Sequence, residues 1–165
     1  MSTKRLITPP NRLEVDGPFV FLAGPIQGAP KWHEVAMGLL WAASASIWVV
    51  SPKRQSFDKG MDYGEQVDWE TYYLQQAAET GVIMFWLAQE ATHRCDRAYG
   101  QTSRFELGEW SVKHQWLGAK LVVGIEAGFS NGRYIRRRLG QDCPQVPVVA
   151  SLAAACDEVV RLLGC

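Results

Sequence analysis

The chain has 165 residues, enough for one domain with a full hydrophobic core and too few for two ordinary ones. Its 17 basic residues cancel 17 acidic ones, so net charge points neither to nucleic acid nor to an anionic membrane. The longest apolar stretch, Leu39 to Val50, is broken by Ser44 and Ser46 and falls short of the ~20 residues a membrane span needs.

Met1 to Gly17 is polar and proline-bearing, without the apolar core of a secretory signal. Residues 1–17 are therefore expected to be an N-terminal extension, and residues 18–165 a single domain. Phe19 to Ala23 is a short continuous apolar run stopped by Gly24-Pro25, as expected of a strand buried on both faces. Helical spacing follows from about Lys31 to Ser46 (Val35, Met37, Leu39, Leu40), then a β-branched run from Ile47 to Val50 ended by Ser51-Pro52. A polar loop covers Lys53 to Gly64, and helical spacing resumes from Glu65 to Thr80. Val82 to Leu87 is the plainest strand in the chain. Behind it lies an unusually polar loop, Gln89 to Gln101; loops of ~12 residues in a compact domain are more often functional than idle. A helix is expected from about Ser103 to Trp116, a strand over Leu121 to Ile125, and a basic helical turn over Tyr134 to Leu139. A last strand over Val146 to Val149 then leads to a last helix, Leu152 to Leu163.

Five short apolar strands separated by helices predict an α/β fold, a five-stranded parallel sheet with helices on both faces. Such sheets bind ligands beyond the carboxyl ends of their strands, where the strand order reverses. The candidate site is therefore the turn Gly24-Pro25-Ile26-Gln27, with the loop after the 82–87 strand and the helix that follows.

Several familiar motifs are ruled out. Cys95, Cys143, Cys156 and Cys165 are unevenly spaced with no Cys-x-x-Cys pair, which argues against both a disulfide framework and a zinc knuckle. His33-Glu34 begins like a zinc-protease helix, but Met37 stands where the second histidine is needed, so no metal is expected. Gly128-Phe129-Ser130-Asn131-Gly132 has the form of a nucleophile elbow, yet no histidine follows Ser130 to serve as its base. Neither a phosphate loop nor a dinucleotide fingerprint is present, and no cofactor is expected.

What remains is a set of acidic and aromatic residues near the predicted strand ends. Glu106 lies one turn into the helix opened by Thr102-Ser103, and Asp68, Trp69 and Glu70 lie early in the helix before the 82–87 strand. Helix N-termini favour an ionised carboxylate, and an ionised carboxylate in a pocket is a nucleophile toward an anomeric carbon. Against this, Ser103-x-x-Glu106 is also a capping box, the commoner role for such a pair. Asp68 and Glu70 also read as ordinary first-turn acids. Trp69 and Tyr73, four apart, share a face that is either core or pocket wall.

Phe21-Leu22-Ala23-Gly24-Pro25-Ile26, Ser51-Pro52-Lys53-Arg54, Gln66-Val67-Asp68-Trp69-Glu70, Val82-Ile83-Met84-Phe85-Trp86 and Thr102-Ser103-Arg104-Phe105-Glu106-Leu107-Gly108 occur in this order. Together they resemble the nucleoside 2-deoxyribosyltransferase family, in its branch with a Trp-Glu helix, over roughly residues 19 to 125. The resemblance implies a flavodoxin-like three-layer α/β sandwich, nucleoside salvage, and homo-oligomers whose active sites borrow residues from a neighbouring subunit; the cytoplasmic location expected of the chain comes from its polar N-terminus, short apolar stretches and unpaired cysteines. It places the nucleophile on Glu106 and the sugar beside Gly24, Pro25 and Ile26. The family's second acid aligns near Tyr73, with Glu70 one turn earlier, or Asp68, as its substitute. Thr102 and Ser103, which stand where many relatives read Gly-Thr or Gly-Ser just before the nucleophile helix, are candidate substrate-binding residues. Trp69 and Trp86 are candidates to stack on the base, and Asn131 and Tyr134 to reach a sugar hydroxyl.

The implied reaction moves the 2-deoxyribosyl group of a 2′-deoxynucleoside to a second free nucleobase through a covalent glutamyl ester, the logic of paired carboxyls in retaining glycosidases. Two other readings compete with it: a hydrolase of the N-glycosidic bond of nucleosides or nucleoside monophosphates, for which Ser103 and Arg104 would serve a phosphate, and a non-catalytic nucleotide-binding module.

Overall fold

The computed structural model describes residues 5–55 and 60–165; the first four residues of the 1–17 extension and residues 56–59 of the polar 53–64 loop lie outside them. The elements in chain order are β1 (Leu6–Ile7), β2 (Phe19–Ala23), α1 (Trp32–Ala43), β3 (Trp48–Val50), α2 (Tyr63–Thr80), β4 (Val82–Leu87), α3 (Gln101–Leu117), β5 (Leu121–Ile125), α4 (Gly132–Asp142), β6 (Val148–Val149) and α5 (Leu152–Leu163). The strands form one sheet in the order β1-β3-β2-β4-β5-β6, parallel at every pairing. The sheet thus has six strands, not five. The additional one is a two-residue edge strand from the extension, Leu6 and Ile7 pairing with Val49 and Val50. So short a strand carries no periodicity to read, and it exists because β3 offers it a free edge.

Every residue of β2, β4 and β5 is buried, which explains why these strands read as unbroken apolar runs. Alternate side chains serve opposite faces. Phe19, Phe21, Ile83, Phe85, Leu121 and Val123 pack under α2, α3 and α4. Val20, Leu22, Met84, Trp86 and Val122 pack under α1 and α5. No helix among the described residues is long and apolar enough to cross a membrane.

Two features of this sheet position the site. From β2 the chain moves to one side, to β3, and then returns past β2 to β4, so the strand order reverses between β2 and β4. In register, Ala23 at the end of β2 lies opposite Phe85, whereas β4 and β5 run on together to Leu87 and Ile125. The sheet therefore has a step above β2. The turn after β2 enters it through Gly24 (φ +152°), where an added Cβ would lie 2.3 Å from the carbonyl oxygen of Trp86 and 2.8 Å from the Trp32 ring. Only glycine lets the backbone pass there.

Trp86 faces away from that step. Its indole lies on Gly124 of β5, where a Cβ would come within 2.4 Å of the ring. The side chain belongs to the α1–α5 layer, so it is core and does not stack on a ligand at the strand ends. Gly124→Ala should accordingly destabilise the domain by about 1–3 kcal/mol through overpacking, read as a lower urea midpoint with unchanged slope.

Candidate active site

Above the step lies a cavity of about 200 Å³. Phe21, Ala23 and the 24–28 turn form one wall, Pro52 and Glu70 another, and residues of the 88–100 loop and the start of α3 complete it. Of the residues predicted to form the site, Gly24, Pro25, Ile26, Glu70, Thr102, Ser103 and Glu106 line this cavity together.

The turn and the loop are clamped to each other. The amides of Ala91 and Thr92 donate to the Gly28 carbonyl at 2.8 and 3.1 Å, and Arg97 donates to Gln27; within the loop itself, the Tyr99 hydroxyl donates to the Ala88 carbonyl at 2.8 Å. Trp32 Nε1 fixes the turn from below by donating to the Pro25 carbonyl at 2.8 Å.

Glu106 does not cap a helix. α3 starts at Gln101 behind a left-handed Gly100, with no side-chain cap, so the capping box expected between Ser103 and Glu106 does not form. Glu106 is instead the sixth residue of α3, partly buried in the cavity, and accepts no hydrogen bond among the described residues. That position lies beyond the first turn, where the helix dipole has faded. The expectation of a carboxylate held ionised by the helix is therefore not met. Burial, and then the charge of Glu70 across the cavity, push the Glu106 pKa up to about 8, with Glu109 adding to the rise.

Glu70 is held by a polar chain behind the cavity wall. Gln66 Nε2 donates to Glu70 Oε1 at 2.6 Å, and Arg54 Nε donates to Gln66 Oε1 at 2.8 Å. Gln66 and Glu70 are one turn apart on α2, which starts earlier than predicted at a capping box formed by Asp62 and Glu65. Burial raises the Glu70 pKa, while the hydrogen bond from Gln66 and the charge of Arg54 oppose the rise. The two glutamates thus sit in one desolvated space, each disfavouring a second negative charge.

Other predicted residues fall elsewhere. Asp68, two positions before Glu70 and so on the far side of α2, is exposed and does not line the cavity. Trp69 and Tyr73 are fully buried core, not pocket wall. Trp69 Nε1 donates to the Asn11 carbonyl at 2.7 Å; the Tyr73 hydroxyl donates to the Leu13 carbonyl at 3.1 Å and accepts from the Leu13 amide at 2.8 Å. Their polar ends pin the N-terminal extension instead of a substrate. Asn131 and Tyr134 line a separate groove between α3 and α4. Glu90, Thr92, Arg94, Arg97 and Tyr99 also line the cavity without having been singled out; the polar character of the 89–101 loop was their one signal.

A parallel α/β sheet with a cavity at its switch point, floored by two carboxyl groups, defines a class of ligand-binding domain suited to acid–base or nucleophilic chemistry. More narrowly, the chain belongs to the nucleoside 2-deoxyribosyltransferase-like family, whose model matches residues 17–127. No curated protein matches the chain. The family match takes in β2 to β5 with both glutamates, while α4, β6 and α5 follow it.

A carboxyl whose folded pKa lies above its unfolded value stabilises the fold fully below the unfolded value, near 4.5, and loses that contribution as pH rises through about 8. Glu106→Gln should therefore melt like the parent at pH 4 and become more stable than it as pH rises. The gain is expected to approach about 3 kcal/mol at pH 7 and to level off above pH 8. Thermal melts of both proteins from pH 4 to 9 measure it.

Proposed function

We propose that this protein transfers a 2-deoxyribosyl group from one nucleobase to another, with Glu106 as nucleophile and Glu70 as acid–base partner. The observation that carries this reading is the placement of Glu70 and Glu106 on one cavity at the switch point, within a family match that includes both. The strand order β3-β2-β4-β5-β6 supports a flavodoxin-like sandwich, with residues 18–165 as the one domain and the extension tied to its edge. Nucleoside salvage is the expected setting. The four free thiols support a reducing, cytoplasmic one.

The reaction uses one proton on the pair. With the proton on Glu70, Glu106 is ionised. A Glu106 oxygen bonds to C1′ as the C1′–N bond breaks, its electron pair leaves on the base, and Glu70 delivers the proton to that base. A second base then attacks C1′ from the face the first one left, gives its proton to Glu70 and frees Glu106, with net retention. Placing two acids in low-dielectric surroundings ensures that they do not both ionise at neutral pH, so the shared proton is retained. Activity is therefore expected to be bell-shaped in pH, with an alkaline limb near pH 8, where the pair loses its last proton. Glu70→Gln removes both the proton donor and the charge that raises Glu106: exchange should slow, and the alkaline limb should vanish, with residual activity rising as Glu106 ionises at a lower pH than in the parent.

The decisive test is mass spectrometry after brief exposure to a 2′-deoxynucleoside. A gain of one deoxyribosyl group on Glu106 is expected, absent in Glu106→Ala, which should fold and lose exchange by several orders of magnitude. Free deoxyribose accumulating equally with and without a second base would make water the acceptor. An active, unlabelled Glu106→Ala would overturn the assignment.

A homo-oligomer with shared sites is supported by the outer face of α3, where Phe105 and Trp116 are 75% and 80% exposed next to Val112 and Leu117. Trp116→Lys should lower the mass measured by light scattering if that face joins subunits, and leave it unchanged otherwise.

A further inference from the structure

The two ends of the cavity differ in chemistry. Its floor is acidic, with Glu70 and Glu106, whereas its rim presents donors. Arg94 and Arg97 of the 88–100 loop line the rim beside Thr92, Thr102 and Ser103. α3 begins at the same rim. The Gly100 carbonyl accepts from the Arg104 amide at 3.0 Å, and no side chain caps the helix, so the amides of Gln101, Thr102 and Ser103 have no acceptor among the described residues.

Ser103 gives an independent indication. It is only 4% exposed and lines the cavity, and its hydroxyl has no hydrogen-bond partner among the described residues. The hydroxyl is open to the cavity, not sealed in the core, so a ligand atom there is placed to pair with it. Two guanidinium groups, three amides and a buried hydroxyl call for a ligand group with negative charge and several acceptor oxygens, which is the description of a phosphate. One acid, Glu90, also lines the rim, and it engages the His93 ring at 3.1 Å. Arg94 meets Asp96 at 3.1 Å and Arg97 meets Gln27; both are surface contacts that a phosphate can replace.

We propose that this rim is a phosphomonoester subsite, so that a 2′-deoxynucleoside 5′-monophosphate is preferred over the free nucleoside. This rests on the reading that the two glutamates act at C1′. The anomeric carbon, where positive charge develops, then lies over the acidic floor, and the 5′ end reaches the donor-rich rim. The separation of charge along the cavity orients the sugar before any base contact is made.

Binding is measured by calorimetry on full-length Glu106→Gln, in which turnover does not interfere, using a 2′-deoxynucleoside, its 5′-monophosphate and inorganic phosphate. The monophosphate should bind roughly tenfold or more tightly than the nucleoside, the difference made by charge-assisted hydrogen bonds. Inorganic phosphate should compete with it. Arg97→Met, Arg94→Gln and Ser103→Ala, each checked for fold by circular dichroism, should each shrink the preference. Equal binding of nucleoside and monophosphate, phosphate that binds without competing, no binding of any of the three, or a preference that survives all three substitutions would overturn the subsite. Preferred binding of the monophosphate by a protein whose parent turns over neither compound would keep the subsite and remove the transfer reaction. Equal binding with turnover would do the reverse.

Discussion

Two partly buried carboxyl groups share one cavity, and neither can become charged without raising the free energy of charging the other. Glu106 carries most of this burden, because no donor among the described residues answers its oxygens, whereas Glu70 is met by Gln66 and backed by Arg54. The asymmetry explains why Glu106 holds its proton to a higher pH than an ordinary carboxyl. It also shows why such a pair has to sit on a stiff support. A flexible wall would separate the carboxyls or admit water, and either would relax both acids toward their ordinary behaviour.

The support is the sheet itself. Because β2 stops two residues short of β4 and β5, a recess forms without any cavity being carved from the core. Trp32 from α1 and the close passage of Gly24 over Trp86 hold the first wall. Trp69 and Tyr73 hold α2 in place by reaching the extension, so aromatic residues next to Glu70 in sequence act on its backbone and not on a ligand.

The central strands and all five helices were legible from periodicity, since both-face burial writes itself as an apolar run and helix faces repeat every three to four residues. The switch point followed from topology rules alone. The edge strand at Leu6–Ile7 was not legible, because two residues have no period. Asp68 and Glu70 could not be told apart without knowing where α2 begins, and the Asp62-x-x-Glu65 signal that fixes its start lay in the stretch read as loop. Trp86 was misplaced for a related reason: in a strand buried on both faces, sequence gives no hint of which face a side chain takes. Asn131 and Tyr134, candidates for a sugar hydroxyl from the last third of the chain, lie at α4 and face a different groove, and no local pattern in the sequence tells which groove a residue of that helix lines.

The loop of residues 88–100 hangs from the end of β4 and is stitched to the 24–28 turn through the Gly28 carbonyl and the contact of Arg97 with Gln27, while the glutamates belong to α2 and α3. Positive charge at the open end of the recess is thus carried by Arg94 and Arg97, on a segment that holds neither carboxyl, so a lineage could alter that charge without rebuilding the helices that carry the acids.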